Sequence, residues 1–275
     1  MAALLALLSS AMWGSADYLA GRLSRVHGAL RVLAASQIVA LLGMVVVATV
    51  TAAWQSPTGY VGWAVLAGLA GASGLGLFYR ALSVGTMGVV SPIASLSVVV
   101  PLAVGIADGE RPTGVQALGI VLAIVGVVAA SGPEVRGEAG WQPVALAGGA
   151  ALLLGVTLVG IARGSADSVV MTMTVMRMVS SGVLLLVLLV GGARVRGRGG
   201  QLAWVALVGV LDVGANLAFG VASTRGLLSL VAVFGSLYPV ATILLARQLD
   251  GERLRPVQAA GVAMALAGAA AISAG

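Results

Sequence analysis

The chain has 275 residues, of which 60% are apolar and 9% charged, and its net charge is +6. An average soluble domain carries about 25% charged residues, so the composition excludes a chain whose surface is covered by water. There is no Cys and His27 is the only His, which excludes disulfides, thiolate metal sites and a histidine-based metal centre. All fifteen basic residues are Arg, and they lie between apolar blocks, which indicates charges at a membrane surface rather than a nucleic-acid interface.

Apolar blocks of about twenty residues follow one another along the chain, and each is long enough to cross a ~30 Å hydrocarbon layer. Breaks rich in Gly, Pro and charge separate the blocks. Because an open sheet cannot satisfy its backbone in lipid, every block is predicted to be a helix, which gives an all-α polytopic membrane protein. The ten predicted spans are Ala3–Gly21, Leu30–Thr51, Val61–Tyr79, Met87–Ala107, Gly114–Ala130, Trp141–Ala162, Val169–Val190, Leu202–Ser223, Leu227–Leu245 and Pro256–Ser273.

The first block is predicted to be a retained span rather than a cleaved signal peptide. It lacks a basic n-region, and it continues into Trp13, Asp17 and Tyr18 without a convincing cleavage site.

The two halves of the chain repeat one another. Asp108-Gly109-Glu110-Arg111 reappears as Asp250-Gly251-Glu252-Arg253, and the Gln and Gly residues that follow match at the same offset. In this register Ser97 takes the place of Pro239, so helix four is expected to bend differently from helix nine. The matching pairs downstream are Gln116 with Gln258, Gly119 with Gly261 and Gly126 with Gly268.

The repeat defines the predicted domain organisation. Residues 1–131 form a first five-helix repeat, 132–140 a linker loop and 141–275 a second five-helix repeat. Five spans is an odd number, so the two repeats are expected to insert with opposite orientation. Inverted repeats are a recurrent design of secondary transporters, which bind their solute at the interface between the repeats.

At these residues the chain resembles the EamA family of the drug/metabolite transporter (DMT) superfamily. The resemblance rests on Trp13-Gly14-Ser15, Gly109-Glu110-Arg111, Ser236-Leu237-Tyr238-Pro239 and Gly251-Glu252-Arg253, and it covers essentially the whole chain. It implies a ten-helix inverted-repeat carrier that exports or exchanges amino acids or related metabolites. It also implies a central cavity lined mainly by helices one, three, four, six, eight and nine.

Three ionisable residues fall well inside the predicted spans: Asp17, Arg177 and Asp212. A charge at the bilayer centre costs about 2.5–3.5 kcal/mol on insertion scales, so such groups usually face protein or a watery cavity. Asn216 follows Asp212 by four residues, which places the amide and the carboxylate on one helix face. The two acids are candidates for contacts to a solute amine or for proton coupling. Alternatively, one of them neutralises Arg177 and locks helices together, and the sequence leaves open which one.

Aromatic residues are few, so Trp13, Tyr79 and Tyr238 are candidate cavity residues. Trp and Tyr also collect at membrane interfaces, and Tyr79 beside Arg80 at the end of its predicted span favours the interface. Tyr238 precedes Pro239 inside helix nine, where the proline frees a carbonyl for a polar solute or neighbour. Gln37, Ser91 and Ser95 are further polar groups that could face the interior. The Gly-Glu-Arg segments are interpreted as loop charges without a transport role.

The predicted function is a secondary transporter, an exporter of a small metabolite such as an amino acid, in the inner membrane of a bacterium. A multidrug or cation exporter and a non-transporting membrane partner or sensor subunit are the alternatives. No enzyme and no cofactor are predicted, since a Walker A loop needs a Lys and an intramembrane serine protease needs a His partner. The expected partners are the solute and membrane lipids, with protons and a second copy of the chain as open possibilities.

The arginines also predict an orientation. Loops after odd-numbered spans hold eleven Arg and loops after even-numbered spans hold three, Arg111, Arg163 and Arg225. The positive-inside rule therefore places both termini outside the cytoplasm. The family resemblance implies both termini inside, and the charge count is preferred here.

Overall fold

The computed structural model describes residues 1–27, 29–85, 87–131, 141–190, 202–251 and 254–275, and the regular secondary structure of these residues is entirely helical. Seven stretches are long and apolar enough to cross a membrane, and α6 is apolar but shorter, at 17 residues. By length and composition alone the described residues thus give seven spans rather than the predicted ten. The helices are α1 (Ala2–His27), α2 (Ala29–Val50), α3 (Tyr60–Val84), α4 (Met87–Ser95), α5 (Val99–Ala107), α6 (Gly114–Ala130), α7 (Trp141–Val190), α8 (Leu202–Ser223), α9 (Leu228–Gly235), α10 (Tyr238–Leu249) and α11 (Pro256–Ala274).

The 50-residue α7 consists of two helices that meet at Ser168. Ser168 is extended, with φ −160° and ψ 109°, and its side-chain oxygen accepts a hydrogen bond from the Met171 N–H at 3.3 Å. This is the arrangement of an N-cap residue, whose hydroxyl satisfies a free N–H in the first turn of a helix. The two halves of α7 correspond to the separately predicted spans six and seven.

The predicted fourth and ninth spans are each interrupted near their middle. In the first repeat a 3-10 turn at Leu96–Val98 separates α4 from α5. In the second repeat Ser236 and Leu237 separate α9 from α10, and Pro239 lies in the first turn of α10. Both spans are therefore distorted at nearly equivalent positions while the backbone stays in the right-handed helical region, and the two distortions differ in form as the Ser97–Pro239 difference predicts.

The equivalent helices α6 and α11 cross antiparallel at four glycines. A Cβ on Gly126 would lie 2.3 Å from the Ala265 nitrogen and 2.8 Å from the Gly261 oxygen. At the other end of the crossing, a Cβ on Gly119 would lie 2.8 Å from the Gly268 oxygen. Only Gly allows the two backbones to approach this closely. The later glycine of each helix thus faces the earlier glycine of its partner, which makes the helices antiparallel.

Contacts between distant helix ends define two opposite ends of the bundle. At one end, Glu110 contacts the start of α9 and the end of α11 lies beside Thr113. Gly226, just before α9, packs against Ala2 at the start of α1. We call this the packed end, formed by 1–2, 55–59, 107–114, 163–168, 223–229 and 274–275.

The other end of the bundle, which we call the arginine-rich end, includes Arg22, Gly85, Pro143 and Asp250. There Gly85 packs directly against Pro143, and Arg22 forms an ion pair with Asp250 at 3.3 Å. Both chain termini lie at the packed end. The predicted linker 132–140 and the arginine-bearing loop 194–200 fall outside the described residues.

The repeated glutamines of α6 and α11 have a structural role. The Thr113 N–H donates to the Gln116 Oε1 at 2.9 Å, and the Arg255 N–H donates to the Gln258 Oε1 at 3.0 Å. Each Gln reaches back to the residue that precedes its helix, as in a capping box. The conserved spacing between the two copies thus reflects how each helix starts.

Candidate functional site

Arg177 lies in the second half of α7 and links three helices. Its guanidinium forms an ion pair with the Asp212 Oδ2 on α8 at 2.5 Å and donates a hydrogen bond to the Gln37 Oε1 on α2 at 2.9 Å. Arg177 is only 6% exposed, so its charge is almost fully removed from solvent. The structure thus answers the question that the sequence left open, because Asp212 is the acid that pairs with Arg177. A buried charge needs such a partner, since an unpaired one is very costly.

Asn216 completes the surroundings of Asp212. Its amide donates to the Asp212 carbonyl at 2.6 Å and to the Asp212 Oδ1 at 3.2 Å. The predicted shared helix face therefore exists, and Asn216 is itself buried at 6% exposure. One carboxylate oxygen of Asp212 thus accepts a hydrogen bond from Asn216, and the other forms the ion pair with Arg177.

Asp17 on α1 has different surroundings from Asp212. It lies within α1 and is exposed. It is within range of direct electrostatic interaction with Asp212 on α8, Tyr79 on α3 and Tyr238 on α10. Among the side chains that the structure describes, no arginine forms an ion pair with Asp17.

Aromatic side chains from both repeats line the same region. Trp13 lies one turn before Asp17, and its ring centroid is 5.8 Å from that of Phe219 and 6.5 Å from that of Tyr238. Phe219 is fully buried and was not singled out from the sequence. Asn216 follows Asp212 by four residues and Phe219 follows Asn216 by three, so all three lie on one face of α8. This spacing is the signal that could have identified Phe219.

Direct backbone contact holds α1 against α10. A Cβ on Gly14 would lie 2.5 Å from the Tyr238 oxygen, and the Thr242 hydroxyl donates to the Gly14 oxygen at 3.1 Å. This contact fixes Trp13 beside Tyr238. The pair is formed by α1 of the first repeat and α10 of the second.

The expectation that Tyr79 marks the end of a span is wrong. The third helix continues to Val84, because no polar break follows Arg80, and Tyr79 therefore lies inside it. Tyr79 is 41% exposed and lies within electrostatic range of both Asp17 and Asp212. One turn before Tyr79, a Cβ on Gly76 would meet nothing within 4 Å. The structure thus brings Tyr79 together with the two acids.

The region between Asp17 and the packed end is filled by apolar side chains. Ala6 on α1, Phe219 on α8 and the inner face of α9 belong to one buried cluster. Val231, Ala232, Val233 and Phe234 are each at most 2% exposed. Asp17 and Tyr79, by contrast, are both exposed.

Glu110, interpreted from the sequence as a loop charge, has a defined partner in the opposite repeat. Its two carboxylate oxygens accept hydrogen bonds from the backbone N–H groups of Leu228 at 2.6 Å and Ser229 at 2.9 Å. An acidic group at a helix N-terminus satisfies free N–H groups and complements the helix dipole. Nearby, Asp108 pairs with Arg163. The equivalent Glu252 and Arg253 lie outside the described residues.

Comparison with known proteins gives a family match over both halves. The profile of the EamA-like transporter family matches residues 1–132 and again residues 141–274. A search of curated proteins returned no match. One solved structure, described only as a crystal structure of protein, is 18% identical, with a TM-score of 0.83 over 98% of this chain and 95% of that one. At this identity the likeness shows the fold alone.

The family match agrees with the two copies seen in the sequence and with the apolar helices of the structure. EamA is a family of transporters rather than enzymes and is part of the DMT superfamily. The chain therefore belongs to the EamA-like transporter family and is an integral membrane transporter of the DMT type.

Proposed function

We propose that the protein is a secondary transporter with ten spans in two inverted five-helix repeats, which exports a small metabolite by alternating access. The main support is Asp17, an acid within the apolar helix α1 that lies within electrostatic range of Tyr79 from the first repeat and of Asp212 and Tyr238 from the second. An intramembrane ionisable residue is by default a candidate for a solute or ion pathway. The proposed site consists of Trp13, Asp17, Tyr79, Asp212, Asn216 and Tyr238, with Arg177 behind Asp212.

The antiparallel crossing of α6 and α11 supports the inversion of the repeats. The two helices are equivalent in sequence, so an antiparallel pair is what inverted repeats require. Counting α4–α5 and α9–α10 as one span each and α7 as two gives ten spans.

The solute path is proposed to be closed at the packed end and open toward the arginine-rich end. The apolar layer formed by Ala6, Phe219 and Phe234 closes the first direction, while exposed Asp17 and Tyr79 mark the second. If the positive-inside rule holds, the arginine-rich end is cytoplasmic and the cavity can take up solute there. This arrangement suits an exporter in its loading state and places both termini outside the cytoplasm.

Cysteine labelling tests this orientation on a chain that has no Cys of its own. Thr58→Cys at the packed end and Gln248→Cys at the arginine-rich end are both at exposed positions. In intact cells, a membrane-impermeant maleimide should label position 58 and reach position 248 only after lysis. The reverse result would place the termini inside, as the family resemblance implies.

Transport itself is tested in proteoliposomes with a pool of labelled small metabolites, with and without a pH gradient. We expect saturable flux of at least one solute and its loss in Asp17→Asn, with Gly43→Ala on the outside of α2 as a matched control. Absence of flux for every solute in the pool would contradict the proposal and favour a non-transporting membrane partner. Proton coupling, a homodimer and the bacterial inner membrane stay predictions.

A further inference from the structure

Close contacts between helices occur in pairs that the sequence repeat relates. A Cβ on Gly14 of α1 would lie 2.5 Å from the Tyr238 oxygen, and a Cβ on Gly155 of α7 would lie 2.5 Å from the Ser97 oxygen. Each residue of the first contact has its counterpart 141 positions away in the second. The packing of α1 on α10 is therefore repeated by the packing of α7 beside the 3-10 turn that precedes α5.

The same relation holds for α3 and α8. A Cβ on Gly68 of α3 would lie 2.8 Å from the Met176 oxygen, and a Cβ on Gly209 of α8 would lie 2.6 Å from the Ser36 oxygen. The two glycines are again 141 positions apart, and both helices are continuous. Positions 141 apart in α3 and α8 therefore correspond to one another along the whole of both helices.

These contacts divide most of the helices into two units, each with members from both repeats. Unit one contains α1, α8, α9 and α10, and unit two contains α3, α4, α5 and the first half of α7, residues 141–167. The ion pair Arg22–Asp250 lies within unit one, and the ion pair Asp108–Arg163 lies within unit two. The two pairs are counterparts of each other, so they do not favour closure of one end of the bundle over the other.

At the packed end the two units meet at Gly220 of α8 and Ser165 of α7. A Cβ on Gly220 would lie 2.7 Å from the Ser165 Oγ and 3.1 Å from a methyl carbon of Val169. The helices approach this closely because residue 220 has no side chain. Ser165 is 3% exposed, so this junction between the units is closed.

At the arginine-rich end the counterpart of Gly220 is Tyr79, and that of Ser165 is Ser24. Tyr79 is 41% exposed, and a Cβ on Gly76, one turn before it, would meet nothing within 4 Å. This face of α3 is thus uncovered, whereas the corresponding face of α8 is packed. A tyrosine in place of the glycine opposes an equally close approach of the units, because its ring would fill the space between them.

A second difference between the ends acts in the same sense. Glu110 of unit two binds the first N–H groups of α9 in unit one, and a Cβ on Gly105 would lie 2.5 Å from the Glu110 Oε2. Gly105 stands three residues before Asp108, and Arg247 stands three residues before Asp250 in the second copy. The position that Gly105 leaves without a side chain therefore carries a large one in the other copy.

We infer that the resting conformation of the transporter is closed at the packed end, because glycines there are replaced by large side chains at the equivalent positions of the other end. Gly105 and Gly220 allow the packed end to close, and Arg247 and Tyr79 oppose closure of the arginine-rich end. This inference rests on the proposed function, since it concerns the balance between the two end states of alternating access.

Two reporter cysteines at equivalent positions, Ser165→Cys and Ser24→Cys, measure which end is closed. The Ser165 hydroxyl has no hydrogen-bond partner among the described groups, so its replacement removes no such bond. Each reporter is placed singly in the full-length protein in nanodiscs, where a membrane-impermeant maleimide reaches both faces and the orientation does not matter. Position 165 should react at least about tenfold more slowly than position 24, because the rate follows the population of the state that exposes each cysteine. Equal rates would contradict a closed packed end.

The effect of a substitution on the opposite end separates the inference from local packing damage. Tyr79→Ala removes the ring at the arginine-rich end and should raise the labelling rate of position 165 at least about threefold. Gly220→Ala and Gly105→Ala each loosen the packed end and should lower the labelling rate of position 24. Gly62→Ala on α3, whose Cβ would meet nothing within 4 Å, is the matched control and should change neither rate.

A change confined to the end that carries the substitution overturns the inference, and so does faster labelling at both ends in a variant that melts normally. The wild-type comparison and three separate substitutions keep the test decisive where one variant fails to fold. Solute flux in proteoliposomes without linked changes at the two ends leaves the transport proposal intact and removes only the bias. Linked changes without flux of any solute contradict transport and retain the bias.

Discussion

The two copies of Asp-Gly-Glu-Arg lie at opposite ends of the bundle and form equivalent but unequal contacts. In each copy the Asp pairs with an Arg of the other repeat, Asp108 with Arg163 and Asp250 with Arg22. In the first copy the adjacent Glu110 also binds two backbone N–H groups at the start of α9. The packed end is thus held by an ion pair and a helix cap. At the arginine-rich end, the described residues show the ion pair without a cap by the equivalent Glu, which lies outside them.

If the repeats are inverted as proposed, one sequence motif serves both ends of the transporter. If the two repeats exchange conformations during transport, the contacts at the packed end have to open while those at the arginine-rich end tighten. The α6–α11 crossing differs from both ends, because its contacts are the same in the two copies. It is therefore expected to stay fixed while the ends change, and the following predictions test that contrast.

The largest effect is expected at the fixed crossing. Gly126→Ala and the equivalent Gly268→Ala place a Cβ within 2.5 Å or less of a backbone nitrogen of the opposite helix. Because backbone cannot yield as a side chain does, each change should destabilise the protein by about 2–3 kcal/mol. Thermal unfolding in detergent, followed by circular dichroism, measures the loss, which should be similar in the two variants.

Gly43→Ala is the matched control for the crossing, since its Cβ would meet nothing within 4 Å. It should leave stability unchanged or raise it by up to about 1 kcal/mol, because Ala favours a helix more than Gly does. Clearly unequal losses of stability for Gly126→Ala and Gly268→Ala would show that the two repeats do not contribute equivalently to the crossing.

An intermediate effect is expected at Glu110. Glu110→Gln keeps the size of the side chain but removes the charge and one acceptor oxygen from the start of α9. The expected loss is about 1–2 kcal/mol, the range of a charged helix cap. The same change should increase maleimide labelling of a cysteine at Ser229, which is fully buried behind the cap. Unchanged labelling at position 229 would show that the cap does not hold this end closed.

The smallest effect is expected at the two ion pairs. Arg163→Gln and Arg22→Gln each remove one pair, and the arginine side chains are 40% and 55% exposed. Exposed ion pairs contribute little because water and salt screen them and the long side chains lose freedom. Melting temperatures should therefore change little in either variant. A large fall in melting temperature for Arg163→Gln but not for Arg22→Gln would mean that the Asp108–Arg163 pair, rather than Glu110, makes the packed end more stable than the arginine-rich end.

The sequence by itself determined the helical membrane fold, the family and the two copies of the repeat. These conclusions depend on composition, on the length of the apolar blocks and on a repeated residue spacing. Each of these can be read from one segment, or by comparing two segments, without knowledge of how the helices pack. The intramembrane residues Asp17, Arg177 and Asp212 were found for the same reason, since a charge in an apolar block is visible without knowledge of the packing. The pairing of Asp212 with Asn216 also followed from helical spacing.

Only the tertiary structure decided which groups meet across helices. The choice of Asp212 rather than Asp17 as partner of Arg177, and the contact of Arg177 with Gln37 at a separation of 140 residues, depend on how helices are arranged side by side. The same is true of Glu110, whose partner Leu228 is 118 residues away, and of Tyr79, which lies beside the acids rather than at a helix end. In lipid almost any apolar face can be covered, so apolar patterning does not specify which helices are neighbours. Close glycine contacts and buried polar pairs make that choice, and both require two distant positions to be known together.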